Sequence, residues 1–352
     1  MKYAQKTSAV SPIVATLVLI VVAVVGAVAV GTIMGTFSGD VSKKASTGDV
    51  VGSSQTEILT AGSTTVQPAS EQLAKVYTKM NPGIKITVQG GASDAGVAAT
   101  GAGTIDIGAS SNIGKITAAQ AAHPEWDLRG YQIGGSGVVW IANGVPSATM
   151  IKKSDLYKIY NGSTAWNGYS IGIQRSDGSG TEEAAAKWLT LNQTDTSGKK
   201  IAKQTSLDAL TGGQSASGNA GVLALVKGTP NSIGFVDMGF AYDANGNPVD
   251  GITVLSLTDD LQGYGTTGLV YPTTSKANIQ TALKDIFGTA QKAYSTSYPA
   301  DPTDTASLSR GLFYMTKGEP SPVVKNFINF AQTPGACDAM HAAGVFCMAD
   351  LA

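Results

Sequence analysis

Histidine is almost missing from this chain: His123 and His341 are the whole complement among 352 residues. A Ser-His-Asp nucleophile needs an imidazole beside a hydroxyl and an acid, and zinc sites need clustered His, Cys and acidic ligands. Neither spacing occurs, so both histidines read as surface or packing residues, and no metal, cofactor or catalytic residue is expected. Charge is also scarce. Charged side chains make up 14% of the chain, whereas about 25% is usual. With a formal net charge of −1 there is no basic face to neutralise a phosphodiester backbone, and nucleic acid is not an expected partner. The glycine loop at Gly178-Ser-Gly-Thr lacks the lysine that a P-loop carries after its last glycine. Trp126, Trp140, Trp166 and Trp188 lie outside the loops described below and read as packing residues.

What the chain has in quantity is glycine, 43 residues, often grouped with serine and threonine. The stretch Ile171-Gly-Ile-Gln-Arg175-Ser-Asp177-Gly-Ser179-Gly180-Thr181-Glu-Glu183 reads as strand, glycine loop, helix. Alternation precedes the loop, and acids followed by strong helix formers come after it. Such a loop turns free backbone N–H groups and a positive helix end toward one point, with hydroxyls and a guanidinium close by. That is the chemistry of an oxyanion seat; read alone, Asp177-Gly178 is equally a turn and Ser179 or Thr181 a helix cap. The form recurs. Glu57-Ile-Leu-Thr-Ala runs into Gly62-Ser63-Thr64-Thr65, and a helix with Leu73, Val76, Tyr77 and Met80 in one stripe follows, stopped at Asn81-Pro82-Gly83. Ile84, Ile86 and Val88 lead to Gly90-Gly-Ala-Ser93-Asp94, and Thr104-Ile-Asp-Ile-Gly108 leads to Ser110-Ser111-Asn112. Strands alternating with helices, each with a hydroxyl loop at its C-terminal end, indicate an α/β fold with its ligand along that edge of the sheet.

One apolar run stands apart. Residues 13–34 carry no charge and are long enough to cross a bilayer, which takes roughly 20 residues. A cleaved secretory core would be shorter, about 7–15 residues, so a retained transmembrane helix is expected. Lys2 and Lys6 before it orient the rest of the chain to the outside, although Lys43 and Lys44 weaken that asymmetry. Ala9-Val-Ser-Pro-Ile-Val-Ala-Thr16 resembles the N-terminus of archaeal type IV pilin-like proteins and of some archaeal membrane-tethered binding proteins. That resemblance implies a short basic leader over residues 1–12 that can be clipped and a membrane or pilin-like helix over 13–34; residues 35–56, rich in Ser, Gly, Thr and Lys with no apolar period, read as a flexible stalk. Cys337 and Cys347 are even in number and placed outside, where disulfides persist, so they are expected to be bridged.

Seven segments in order resemble the phosphate-binding proteins that feed ABC transporters. They are Ala61-Gly-Ser-Thr-Thr65, Gly90-Gly-Ala-Ser93, Asp106-Ile-Gly-Ala-Ser-Ser111, Leu156-Tyr-Lys-Ile-Tyr-Asn-Gly162 with Trp166, Arg175-Ser-Asp-Gly-Ser-Gly-Thr181, Ile233-Gly-Phe-Val236, and Gly311-Leu-Phe-Tyr-Met-Thr-Lys-Gly318. The resemblance implies a two-lobed periplasmic-binding-protein type 2 fold with two crossing strands, residues 57–140 plus 268–352 forming one lobe and 141–267 the other. It implies capture of inorganic phosphate between the lobes and delivery to the permease subunits of an ABC importer. Matched motif by motif, Ser63, Thr64, Thr65, Ser93, Ser110 and Ser111 supply the first lobe's contacts. Arg175, Ser179, Gly180 and Thr181 supply the second lobe's, with Arg175 the one cation. Asp94 and Asp177 are the candidate carboxylates; Asp94 is expected to accept a ligand proton and Asp177 to orient Arg175. The chain departs from many relatives at Asp94-Ala-Gly96, where they have Gly-Thr-Gly, and at Asn112, where they place Arg or Asp. The rival functions are a surface filament subunit, suggested by the N-terminus, and a phosphate-ester enzyme.

Overall fold

The structure, a computed structural model, describes residues 56–352 apart from 196, 209, 211–212, 244, 262–268, 289–294 and 301–306. The expected leader and membrane helix, and the stalk up to residue 55, lie outside the described residues. Among the described residues no helix is long and apolar enough to cross a membrane.

Strand β1 (Thr56–Ser63) lies between β2 (Ile84–Gly91) and β3 (Ile107–Ser110), parallel to both. Parallel neighbours need a crossover between them, and helices α1 (Gln67–Met80) and α2 (Ser93–Ala102) supply it. Pro68 opens α1 where no N–H partner is needed, and Asn81 ends it by donating its backbone and side-chain N–H groups to Tyr77 O. Leu73 and Tyr77 of the expected stripe are buried, whereas Met80, at the helix end, is 55% exposed. Helix α3 (Ile113–Ala122) follows β3.

Strand β4 (Leu128–Asn143) is long enough to serve both halves of the molecule. Its first part pairs antiparallel with β12 (Ser309–Lys317), from Leu128↔Lys317 to Gly137↔Ser309, with Ile133 as an extra residue where the register shifts. Its second part pairs antiparallel with β8 (Ser232–Asp237) and β9 (Ile252–Val254). Beyond β8 lie β6 (Ile171–Arg175) and β7 (Gly213–Ala216), parallel to one another. Helix α4 (Lys153–Tyr160) precedes β6, α5 (Gly180–Thr190) follows it, and α6 (Gly218–Gly228) follows β7. A short helix α7 (Met238–Ala241) caps β8, and β5 (Met150–Lys152), β10 (Ser256–Asp259) and β11 (Leu269–Val270) make a small separate sheet. The chain ends in α8 (Lys276–Phe287), α9 (Pro322–Ala331), α10 (Cys337–Ala342) and β13 (Phe346–Cys347), the last paired with β4.

Period-two alternation along β12 sends successive side chains to opposite faces. Leu312 and Tyr314 join a core with Ile58, Leu73 and Phe327, while Phe313 and Met315 join a smaller one with Val97 and Ile116. The larger core belongs to the other half, where Trp140 packs edge-on against Phe235 and Tyr160 at centroid distances of 5.0 and 5.5 Å.

Tyr271, Ile279, Leu283, Tyr298 and Leu308 all join the core of Trp140. Helix α8 lies on β4 where glycines leave room, and a methyl group on Gly137 would come within 2.7 Å of Ile279 Cγ2. Cys337 and Cys347 are joined, with their Cα atoms 5.1 Å apart, and tie α10 to β13.

Candidate functional site

The hydroxyl loops meet at the C-terminal ends of β1, β2, β3 and β6. At the end of β1 the chain turns through Gly62, whose φ of 137° suits glycine alone and whose Cβ, were there one, would lie 2.3 Å from Ala109 O. This lets the β1 loop rest directly on β3. Ser63 Oγ donates to Ser111 Oγ at 3.1 Å and accepts from Thr65 N at 3.3 Å. Ser93, the first residue of α2, accepts from Ser111 N at 3.4 Å. Ser110 instead turns into its own loop, donating to Asn112 O at 3.0 Å and accepting from Asn112 N at 3.2 Å. Asn112 caps α3 by accepting from Gly114 N at 2.7 Å.

The second lobe faces these loops with Arg175, at the end of β6 and only 1% exposed. Its Nε donates to Asp177 Oδ1 at 2.7 Å, and its Nη2 donates to Asp177 Oδ2 and, at 3.1 Å, to Thr64 Oγ1 across the cleft. Asp177 Oδ1 also accepts from Gly218 N at 3.2 Å. Partial burial works to raise this carboxyl, but the Arg175 guanidinium prevails and holds it below the usual range. Ser179 caps α5, accepting from Thr181 N at 3.0 Å and from Glu182 N at 3.4 Å. Gly180 lies against the third loop, where a methyl group would stand 2.9 Å from Ser111 Oγ. Thr181 and Thr65 share a hydrogen bond of 3.0 Å between the lobes.

Beneath Arg175 sits Glu182, which accepts from Arg175 N at 3.0 Å and from Leu207 N at 2.7 Å. Burial outweighs both donors and pushes its carboxyl up to about 7.

Three further groups that the motif reading did not name belong to this cluster. Arg310, on β12, donates from Nη2 to Thr181 Oγ1 at 2.8 Å, to Thr65 Oγ1 at 3.3 Å and to Asp237 Oδ2 at 3.3 Å. Asp237, at the end of β8, takes Ser136 Oγ at 2.7 Å and Gly239 N at 3.2 Å on its other oxygen. Asn219 donates to Thr65 Oγ1 at 3.1 Å and accepts from Asp237 N at 3.0 Å. Burial pushes the Asp237 carboxyl up against the pull of Arg310, and the same burial draws Arg310 down. Arg175 is therefore not the one cation here. The signal for the pair was a charge interrupting an apolar strand: Arg310 within Ser309-Arg-Gly-Leu-Phe-Tyr314, and Asp237 closing Ile233-Gly-Phe-Val-Asp.

These contacts fix the hydroxyl directions. Thr65 Oγ1 already receives two N–H donors and a hydroxyl has two lone pairs, so it must donate to Thr181. Thr181 then accepts from Thr65 and Arg310, and its own hydrogen remains to be given. Arg175 Nη1 and Arg310 Nε and Nη1 are buried and have no hydrogen-bond partner among the described residues.

Asp94 stands at the edge of this cluster. Ser93 is buried at 1% but the next helical position turns outward by about 100°, and the Asp94 side chain is 55% exposed. Both its oxygens face Lys115 Nζ, at 2.8 and 2.9 Å. Lys115 also reaches Glu183 of the opposite lobe at 3.1 Å, and Glu183 pairs with Lys187. Asp94 thus stands at the rim as half of an ion pair, lining the same cavity as Arg175 and Asp177. A cavity of about 340 Å³ opens between this rim and the Arg175–Asp177 pair.

A profile of the PBP superfamily domain matches residues 47–334. Phosphate-binding protein PstS3 of Mycobacterium bovis is 28% identical over 241 residues, 59% of this chain and 64% of its own length, so the chain spans less than two thirds of that relative. Among solved structures, a high-affinity periplasmic phosphate-binding protein bound with phosphate superposes with a TM-score of 0.60 at 15% identity, over 84% of this chain and 92% of its own. An ABC-type phosphate transport receptor from Vibrio cholerae superposes with a TM-score of 0.52 at 20% identity, over 83% and 100%. At these identities the superpositions speak for the fold.

Proposed function

We propose that this chain, which belongs to the PBP superfamily, captures one inorganic phosphate between its two lobes and delivers it to the permease subunits of an ABC importer. The observation that carries this reading is the buried, unpartnered Nη1 of Arg175 among loops contributed by both lobes. A guanidinium forks onto tetrahedral oxyanions through paired N–H donors, and its charge-assisted bonds are the strong ones. The N-terminus of α5 adds the backbone N–H of Gly180 and a favourable dipole, the N–H groups of Thr181 and Glu182 being taken by the Ser179 cap. The names of the relatives support phosphate as the ligand. In this reading residues 13–34 anchor the protein in the cell membrane, as a single pass or after clipping of the leader, and the lobes work outside the cell at the end of the stalk. The phosphate contacts are Arg175, Ser179, Gly180 and Thr181 from one side and Ser63, Thr64, Thr65, Ser93 and Ser111 from the other.

Titration calorimetry of the full chain in detergent tests it. One phosphate should bind per chain, and p-nitrophenyl phosphate should not be turned over. Absence of phosphate binding, or steady turnover, overturns the reading.

A further inference from the structure

We infer that anion capture in this cleft is coupled to proton uptake, and that Glu182, the buried carboxyl beneath Arg175, takes the proton. The inference rests on the reading that the cleft holds an oxyanion, and it adds what the protein binds along with that anion.

The cavity beside Arg175 is lined by more acid than base: Asp94, Asp177, Glu182, Glu183 and Asp208 against Lys115 and Arg175. Three of these acids are held by cations. Asp177 has Arg175 on both oxygens, Asp94 has Lys115, and Glu183 has Lys115 and Lys187. Glu182 and Asp208 have no cation within ion-pair distance among the described residues. The Asp208 carboxylate takes only Gln174 Nε2 at 3.0 Å, and that of Glu182 only the backbone N–H groups of Arg175 and Leu207. Burial separates the two. Asp208 is exposed, so water solvates its charge, whereas Glu182 is 4% exposed and has no such relief.

The groups around Glu182 do little to hold a negative charge there. Arg175, from β6, lends its backbone N–H, while its guanidinium is engaged by Asp177. Asp208, on the loop before β7, adds a like charge. Tyr160, from α4, is buried and neutral, and its hydroxyl donates to Ile173 O at 2.9 Å. Burial is the largest influence on the Glu182 carboxyl and, with Asp208, outweighs the two donors and the Arg175 charge. An oxyanion on Arg175 brings further negative charge into the cavity that Glu182 lines, beside the turn that carries Ser179, Gly180 and Thr181. Two unit charges about 10 Å apart at an effective dielectric near 20 disfavour one another by on the order of tenfold in an equilibrium constant. The anion therefore shifts Glu182 toward its protonated form, and by linkage the protonated form takes the anion more tightly by the same factor.

The test is calorimetry of phosphate binding to the full chain in detergent, for the wild type and for Glu182→Gln, between pH 6 and 9 in two buffers of different ionisation enthalpy. The two buffers together give the protons taken up with each phosphate, and subtracting the variant cancels the titration of phosphate itself and of groups common to both proteins. With the free carboxyl at about 7, the wild type should take up about half a proton more than the variant near pH 7.5, the excess fading toward pH 6 and pH 9. Relative to the variant, its affinity should fall by about tenfold as pH rises through that window. Thermal melts show whether the variant folds. If it does not, infrared difference spectra of the wild type serve: adding phosphate near pH 7.5 should raise the protonated-carboxyl band, and no gain there sinks the inference. Equal proton uptake by the wild type and the folded variant, or an affinity ratio that does not change with pH, overturns it. Failure of the wild type to bind phosphate at all removes the underlying functional reading, and this coupling with it.

Discussion

The floor of the cleft and its rim use the same kinds of residue to opposite ends. At the floor, Arg175 and Arg310 are buried and each is held by one carboxylate with N–H groups to spare. At the rim, Lys115 spans the two lobes between the exposed Asp94 and Glu183, and Glu183 also pairs with Lys187, so that each charge has a partner. A charge in a low-dielectric site with unspent donors is organised to receive something; a matched pair has already found its partner. The lesson is that position in the fold, more than residue type, decides which ion pairs are sites.

Removing a floor cation is the strongest way to break this contrast. Arg175→Ala should weaken phosphate by about 2–5 kcal/mol, a loss of ~30-fold or more, because it strips a buried charge-assisted donor set and leaves Asp177 unpaired. Unaltered affinity by calorimetry would mean the floor and rim do not differ as described.

The next effect belongs to Glu182, directly beneath Arg175. Its folded carboxyl titrates at about 7 where an unhindered one has 4.5, so between those values the folded state holds a proton that the unfolded chain has lost. Stability from this group is therefore full below about pH 4.5 and drains away as pH rises through 7. Relative to Glu182→Gln, the wild type should lose stability on the order of 3 kcal/mol between pH 5 and 8 in urea unfolding. Parallel pH curves for the two proteins would refute the shift.

The smallest effect is at the rim. Lys115→Ala should change phosphate affinity by about threefold or less, and the difference should fade as salt is raised, since part of the network is exposed and screened. A tenfold, salt-insensitive loss would move Lys115 from the rim into the binding set.

How far the sequence could be read follows from how local each signal is. The strand, glycine loop and helix around Arg175, and the loops at Ser63, Ser93 and Ser111, are contiguous patterns whose geometry is set by neighbours in the chain. The α/β class followed from the same alternation. Arg310 meets Thr65 across a sequence separation of 245 residues, and nothing in either segment alone announces that meeting. Adjacency to Ser93 in the sequence does not give Asp94 the direction of its neighbour, because consecutive helical positions diverge, and its pairing with Lys115 was not legible from the loop. The packing of α8 has a related limit: the stripe of Ile279, Leu283 and Ile286 shows that the helix has an apolar face, but only the glycines of β4 decide which core receives it.

Because Gly137 and Ser309 face one another in the sheet, the chain leaves the first lobe and comes back to it through adjacent doorways. The second lobe is in this sense a passenger spliced into one hairpin of the first, and the two crossing strands are the stem of that hairpin. Evolution or an engineer could therefore exchange the whole intervening segment without re-registering the host sheet, keeping the loops of Ser63, Ser93 and Ser111 while replacing the half that carries Arg175.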